Sequence, residues 1–396
     1  MNIEKPFVLD ADSHWSEHPE LFTSRAPAAW KDRMPRVERV EIPNFIDGHL
    51  EMRDCWVCDG TILGQHSAAG VVDRDGNKEN PHIAMFEWPF DMIHRGAYDP
   101  KARIEVLDEC GIDAQVIYPS TIGLGGHFLG KNDDRSISEM AIRIYNDAQA
   151  EIQADSGNRL LGLPIMPSWD VGACVAEVER VAGLGARGIN MCSEPSDLGG
   201  PDLAQTAWDP FWEICAALKM PVHFHIGASI SAKSWHNTSW ASLSNDTKLA
   251  IGGAMQFIGN SQVAINFLVS GIFDRHPELK VVLVECGIGW IPFLCEAIEY
   301  EMEENAPKDF ARLGKRPLEY FRSNMYATFW FEKNQGRLPE LVERVGEDNI
   351  LFETDFPHPT CLYPDPLGTV ADKLATLTPE IRAKILGGNG RKLYRV

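Results

Sequence analysis

Eight short apolar runs, each followed by a helical pattern, constrain this 396-residue chain more than any other feature. They read as strands over 8–14, 114–119, 159–166, 186–192, 221–227, 280–287, 324–330 and 350–357. Helical sequence follows at 99–110, then at about 132–155, 170–183, 208–218, 245–275, 290–304, 335–345 and 366–394. Strands that alternate with helices predict a parallel sheet. Eight such units predict a single α/β domain over 1–396, a (β/α)8 TIM barrel. An open doubly wound sheet is the alternative. No Gly-x-Gly-x-x-Gly turn follows the first strand, which counts against dinucleotide binding.

One stretch breaks the alternation. Residues 16–97 lie between the first strand and its helix and are rich in Pro, Gly, Trp and charged residues. They are too long for a simple connection. The expectation is an irregular insertion that caps the active-site mouth, with a hairpin at 71–77. Its run from Met85 to Gly96 could line a pocket.

Charge and composition narrow the partners. The chain has 37 basic and 57 acidic residues, a formal net charge of −20. Nucleic acid and anionic membrane surfaces reward the opposite sign. A small-molecule substrate is therefore expected, with no nucleic acid and no membrane. The opening MNIEKPFVLD has no signal-peptide pattern, and no apolar run is long enough to span a bilayer. Nine scattered cysteines read as reduced thiols, so a cytoplasmic location is expected. Cys55 and Cys58 have metal or redox spacing but no second pair.

In such barrels the active site lies at the C-terminal ends of the strands. The first strand ends with Asp12 and His14, which share a face at a spacing of two. The fifth ends with His223 and His225, the sixth with Glu285, and the eighth with Asp355, followed by His358. Three acids facing one small space repel each other when desolvated, and a divalent cation resolves that conflict. Asp12, His14, His225 and Asp355 make a mixed N/O set suited to Zn2+, with Mn2+ or Fe2+ as alternatives. Either His223 or His225 could be the ligand. Candidate substrate contacts are His223, His358, Arg95 and Trp290. Trp88, Phe90, Trp235, Trp240 and Phe329 also suggest an aromatic or apolar substrate body, and His236 shares the Trp235 loop.

These residues resemble the amidohydrolase-related superfamily, in the branch of the aminocarboxymuconate-semialdehyde, γ-resorcylate and 5-carboxyvanillate decarboxylases. The resemblance is carried by Asp12-Ser13-His14, Tyr98-Asp99-Pro100, Asp108–Asp113, Gly188-Ile189-Asn190, Pro221–Gly227, Gly271–Pro277 and Glu353–His358. It implies that Asp12, His14, His225 and Asp355 bind one divalent metal, with Asp12 standing where those decarboxylases have His or Glu. It also implies a His at the end of strand six, where this chain has Glu285 followed by Cys286-Gly287.

The expected function is a metal-dependent decarboxylase of a small aromatic or unsaturated carboxylic acid. Asp355 would pass the proton and Glu285 would act as a base. The alternative is a hydrolase using metal-activated water on an amide, ester or 1,3-dicarbonyl carbon, since a carboxylate is a competent general base. A non-catalytic ligand-binding barrel is the third class. Assembly as a homo-oligomer, a dimer or tetramer, is expected.

Overall fold

The computed structural model describes residues 6–44, 48–66, 70–79, 88–231, 240, 242–333 and 336–396. Its strands are β1 (Leu9–Asp10), β2 (His14–Trp15), β3 (Arg36–Pro43), β4 (Leu50–Cys58), β5 (Thr61–Gln65) and β6 (Ala114–Pro119). The remainder are β7 (Leu160–Gly162), β8 (Ile189–Asn190), β9 (Val222–His225), β10 (Val281–Val284), β11 (Met325–Phe329) and β12 (Ile350–Phe352).

All but β3, β4 and β5 form one parallel barrel. β6 pairs with β1 and β2 on one side and with β7 on the other. A second arc runs β12-β11-β10-β9-β8. Two seams join the arcs. Parallel bridges link Ser13 to Phe356 and Ile165 to Asn190. Across the first seam, Ala11 N–H donates to the Phe352 carbonyl at 2.8 Å and His14 N–H to that of Phe356 at 2.7 Å. Across the second, Asn190 N–H donates to Pro164 O at 2.8 Å. The expected eight-stranded TIM barrel is therefore closed, and the open sheet is excluded.

The helices follow from local signals. Asp99 accepts from Lys101 N–H and Ala102 N–H, Pro100 opens the helix Pro100–Cys110, and Gly111 ends it at φ 73°. The helix expected over 245–275 is three helices instead: Asn245–Gln256, Ser261–Val269 and Ile272–Arg275. The first break serves the barrel. It places the Asn260 side-chain amide where it donates to Phe224 O at 2.9 Å and Val284 O at 3.1 Å. These are carbonyls of two adjacent staves.

The first strand also departs from expectation. The chain leaves strand geometry between β1 and β2, with Asp12 in the gap.

The insertion is more regular than its sequence suggests. β3, β4 and β5 form an antiparallel sheet in that order. Along β3 only Val37, Val40 and Ile42 are apolar among charged neighbours, so the strand depends on its eight-residue pairing with β4. Trp56, Cys58 and Leu63 of this sheet cluster with Phe22 and Met34 and with Ile137, Ala141 and Tyr145 of the helix Arg135–Asp155. The expected hairpin at 71–77 is present in minimal form: Val72 and Lys78 form an antiparallel bridge, Asp73 N–H donates to Asn77 O at 2.9 Å, Glu79 N–H to Val71 O at 2.8 Å, and Gly76 N–H closes the turn on Asp73 O. Met85, Phe86, Glu87, Trp235 and His236 lie outside the described residues.

Candidate metal centre

Asp10, near the start of the chain, ties three staves together beneath the centre. Its carboxylate accepts from Gln115 Nε2 on β6 at 2.6 Å, from Thr354 N–H at 2.8 Å and from Thr354 Oγ1 at 2.5 Å. Asp12 N–H also donates to it, at 3.2 Å. Burial is the main reason its acid is pushed up to about 6. Behind it, the buried Arg103 donates to Gln115 Oε1 and His14 O, and its guanidinium lies over the Phe356 ring. Asp10, Gln115, Thr354 and Arg103 are not expected as site residues from sequence. Only Asp10 left a signal, because it continues the inward alternation of Asp12 and His14.

On that platform six predicted side chains meet: Asp12, His14, His225, Glu285, Asp355 and His358. One potential ligand atom from each of Asp12, His14, His225 and Glu285 lies within 4.8 Å of the other three. The same holds for His14, Glu285, Asp355 and His358. His14 Nε2 stands 3.5 Å from Asp12 Oδ1 and 3.5 Å from Asp355 Oδ1. His225 Nε2 is 3.2 Å from His14 Nε2, 3.6 Å from Asp12 Oδ2 and 3.2 Å from Glu285 Oε2. Asp12, His14, His225 and Asp355 have fully buried side chains, whereas that of Glu285 is 13% exposed.

The backbone aims both imidazoles. His225 Nδ1–H donates to the Ile226 carbonyl at 2.8 Å, and His14 Nδ1–H approaches the Pro119 carbonyl at 3.4 Å. A carbonyl can only accept, so each ring keeps its proton on Nδ1 and turns the Nε2 lone pair inward. Asp355 and Glu285 leave their strands in left-handed backbone, at φ 59° and φ 55°. Non-glycine residues adopt that conformation rarely, and it turns both carboxylates into the barrel. Thr360 Oγ1 donates to Asp355 Oδ2 at 3.0 Å.

The electrostatics call for a cation. Burial, then the charges of Asp355 and Asp10, hold the Asp12 carboxyl well above its ordinary range. Burial, then Asp355 and Asp12, do the same to Glu285. Burial pushes His225 down to about 4, and burial, then the neighbouring His358 and His225, hold His14 well below its ordinary value. Both Asp12 oxygens and Asp355 Oδ1 are buried without a hydrogen bond. Donors bonded to one ion at about 2.0–2.2 Å stand about 2.8–3.6 Å apart at ordinary coordination angles. The 3.2–3.6 Å spacings fall in that window, so the residues fit a divalent metal.

The other candidates lie elsewhere. His223 spends both nitrogens below the centre, Nδ1 on Ile189 O at 2.8 Å and Nε2 on Tyr394 Oη at 3.0 Å. It is a core histidine, which corrects its reading as a substrate contact and leaves His225 at the rim. Arg95 is 68% exposed and pairs with Asp99 at 2.6 Å. The Trp290 indole N–H donates to Cys286 O at 2.8 Å. Neither joins the cluster. Phe329 is wholly buried in the core. His358 stacks on His14 with ring centroids 3.5 Å apart, and its Nδ1 lies 3.1 Å from Asp355 Oδ1. Glu353 opens one of the runs that carry the resemblance but is not expected as a site residue; it is fully buried beside Asp12 and Asp355. Its place at the end of β12 was the available signal.

Comparison with known proteins agrees with the fold. A family model described as "Amidohydrolase" matches residues 46–396. A γ-resorcylate decarboxylase from Polaromonas sp. (strain JS666) is 27% identical over 364 residues, covering 89% of this chain and 99% of that protein. The structure of an amidohydrolase from Mycobacterium avium subsp. paratuberculosis K-10 superposes with a TM-score of 0.73 at 21% identity, covering 98% of this chain and 99% of that one. A dihydroxybenzoic acid decarboxylase from Polaromonas sp. JS666, with bound manganese and the inhibitor 2-nitroresorcinol, does so at 0.56 and 17% identity, covering 99% and 97%.

Proposed function

The chain belongs to the amidohydrolase family, and from that premise we propose that it is a metal-dependent carboxy-lyase acting on a small aromatic or unsaturated carboxylic acid. One observation carries the reading. Two imidazoles with inward Nε2 lone pairs, an Asp12 carboxylate without hydrogen bonds and a free Oδ1 of Asp355 converge at the strand ends, in a chain that has a γ-resorcylate decarboxylase among its relatives over most of its length.

Asp12, His14, His225 and Asp355 would hold one divalent ion, Zn2+ by the donor set, with Mn2+ or Fe2+ as alternatives. When bound, that ion supplies a Lewis acid for the substrate's carboxylate and a neighbouring hydroxyl. Asp355, whose Oδ2 accepts from Thr360 Oγ1, would hand a proton to the ring carbon as CO2 leaves. Glu285 faces the partly open side. His358 Nε2 is buried without a hydrogen bond, which suits a contact to a substrate oxygen.

Residues 16–97 serve as a cap in this reading. Ser16 N–H donates to Ala97 O at 2.9 Å, so the insertion leaves and returns at one point. It is fastened to the loops after β6 and β12, through Trp56 Nε1–H to Thr121 Oγ1 and Val71 N–H to Pro357 O. A cytoplasmic homo-oligomer, dimer or tetramer, completes the proposal. Phe293 and Tyr300 support the assembly, since they expose one face of the helix Ile291–Asn305 at a spacing of seven. Nine buried, unpaired cysteines suit a reducing compartment.

The second reading is a hydrolase, favoured by Glu285 standing where the resemblance implies a His. A panel of hydroxybenzoates, amides, esters and 1,3-dicarbonyl compounds separates the two. The carboxy-lyase reading expects CO2 from a hydroxybenzoate or related acid, abolished by a chelator. Cleavage of an amide, ester or diketone with no CO2 from any acid would replace it with the hydrolase.

A further inference from the structure

We infer that Glu285 is itself a metal ligand, the fifth, on the partly open side of the centre. This rests on the metal reading above and departs from the base role expected from sequence. Its spacing carries the argument. Glu285 Oε2 lies 3.2 Å from His225 Nε2, as near as His14 Nε2 at 3.2 Å and nearer than Asp12 Oδ2 at 3.6 Å. Glu285 and His14 are the two residues common to both donor groups. This carboxylate stands among the donors.

A supporting role for Glu285, holding the outer N–H of a ligand histidine, does not fit. His225 already gives its Nδ1–H to Ile226 O, and Glu285 meets the opposite nitrogen. The turn after β10 sets this aim. Glu285 has φ 55° and Gly287 φ 64°, and Ile288 N–H donates to the buried Glu332 Oε1. The donor set explains the need. Asp12 is one methylene shorter than glutamate, and a carboxylate from β10 completes the shell from the other side.

The test strips metal from the full-length chain and titrates it with Co2+. Visible absorption reports coordination, and chelator competition reports affinity. Wild type, Glu285→Gln and Glu285→Asp are compared. The expected result for Glu285→Gln is at least about tenfold weaker Co2+ binding, with absorption bands altered toward a lower coordination number. Glu285→Asp, which keeps the charge at shorter reach, should fall between. Removing one anion from a crowded acid cluster should not lower the thermal midpoint of the metal-free chain. Wild-type affinity and spectrum in Glu285→Gln would overturn the inference and leave the metal reading standing. A wild-type chain that takes up neither Co2+, Zn2+ nor Mn2+ would overturn both.

Discussion

His225 and Asp355 show how much a single side chain decides in this centre. His225 Nε2 faces His14, Asp12 and Glu285, and His223 on the same strand cannot take its place, because it is bonded to Ile189 and Tyr394. Asp355 presents a buried Oδ1 with no hydrogen bond. His225→Ala and Asp355→Asn should each reduce the metal content from one ion per chain to well below that, measured by elemental analysis after gel filtration. Full occupancy in both variants would remove the centre as drawn. From sequence, 223 and 225 could not be told apart, since both lie on one face of one strand. The choice depends on depth in the barrel, which is set by neighbouring strands.

At the scale of the element, the turn after β10 is the piece most sensitive to change. A Cβ on Gly287 would come within 2.5 Å of Glu332 Oε1, in a backbone conformation that L side chains avoid. Gly287→Ala should cost about 1–2 kcal/mol from backbone strain alone. It should also weaken metal binding through displacement of Glu285, read by urea unfolding and by metal affinity. Unchanged values for both would show that the turn does not set the aim. The seat of β3–β5 is a second such element. Trp56 is wholly buried against the helix Arg135–Asp155 and donates to Thr121 Oγ1 at 2.7 Å. Trp56→Ala should cost about 3–5 kcal/mol. If the insertion is a cap, the whole chain should still unfold in one transition. Separate melting of an insertion fragment would make it an independent domain. This sheet was not legible in the sequence. β3 has too few apolar residues to announce itself, and its pairing with β4 supplies what its composition lacks.

For the whole molecule, pH sets stability through histidines that the fold keeps neutral. Burial pushes His66 down to about 4 and His127 to about 3. In the unfolded chain each takes up a proton near pH 6.5. Above that pH neither state binds the proton and nothing is lost. Below it the unfolded chain gains protons that the folded chain refuses, so stability falls between about pH 6.5 and 4. By pH 5 the loss should reach up to about 2 kcal/mol for each residue. Urea midpoints at pH 7.5 and pH 5 check this, with His127→Gln expected to show a shallower fall than wild type. An identical fall in the variant would assign the acid sensitivity to other groups. No described helix is long and apolar enough to cross a membrane.

The alternation of apolar strands and helices was enough to place eight staves, because a parallel barrel buries every strand and leaves each as a short apolar run. Polar residues that interrupt such runs at their ends stand out, and that is how Asp12, His14, His225, Glu285 and Asp355 were visible. What the chain alone could not show is long-range. The break at Asp12, the three-part helix after β9 and the sheet of the insertion depend on partners far away in sequence. So do the Asp10–Gln115–Arg103 support and the placement of His358 on the His14 ring. Glu285 is the sharpest case. Its type and its strand end were read directly, yet the 3.2 Å approach to His225 was not. That distance depends on the registry of β9 with β10, which pairs Val284 with His225, and on the left-handed turn that follows. Patterning determines which face a residue occupies; only the packed barrel determines which atoms on that face meet.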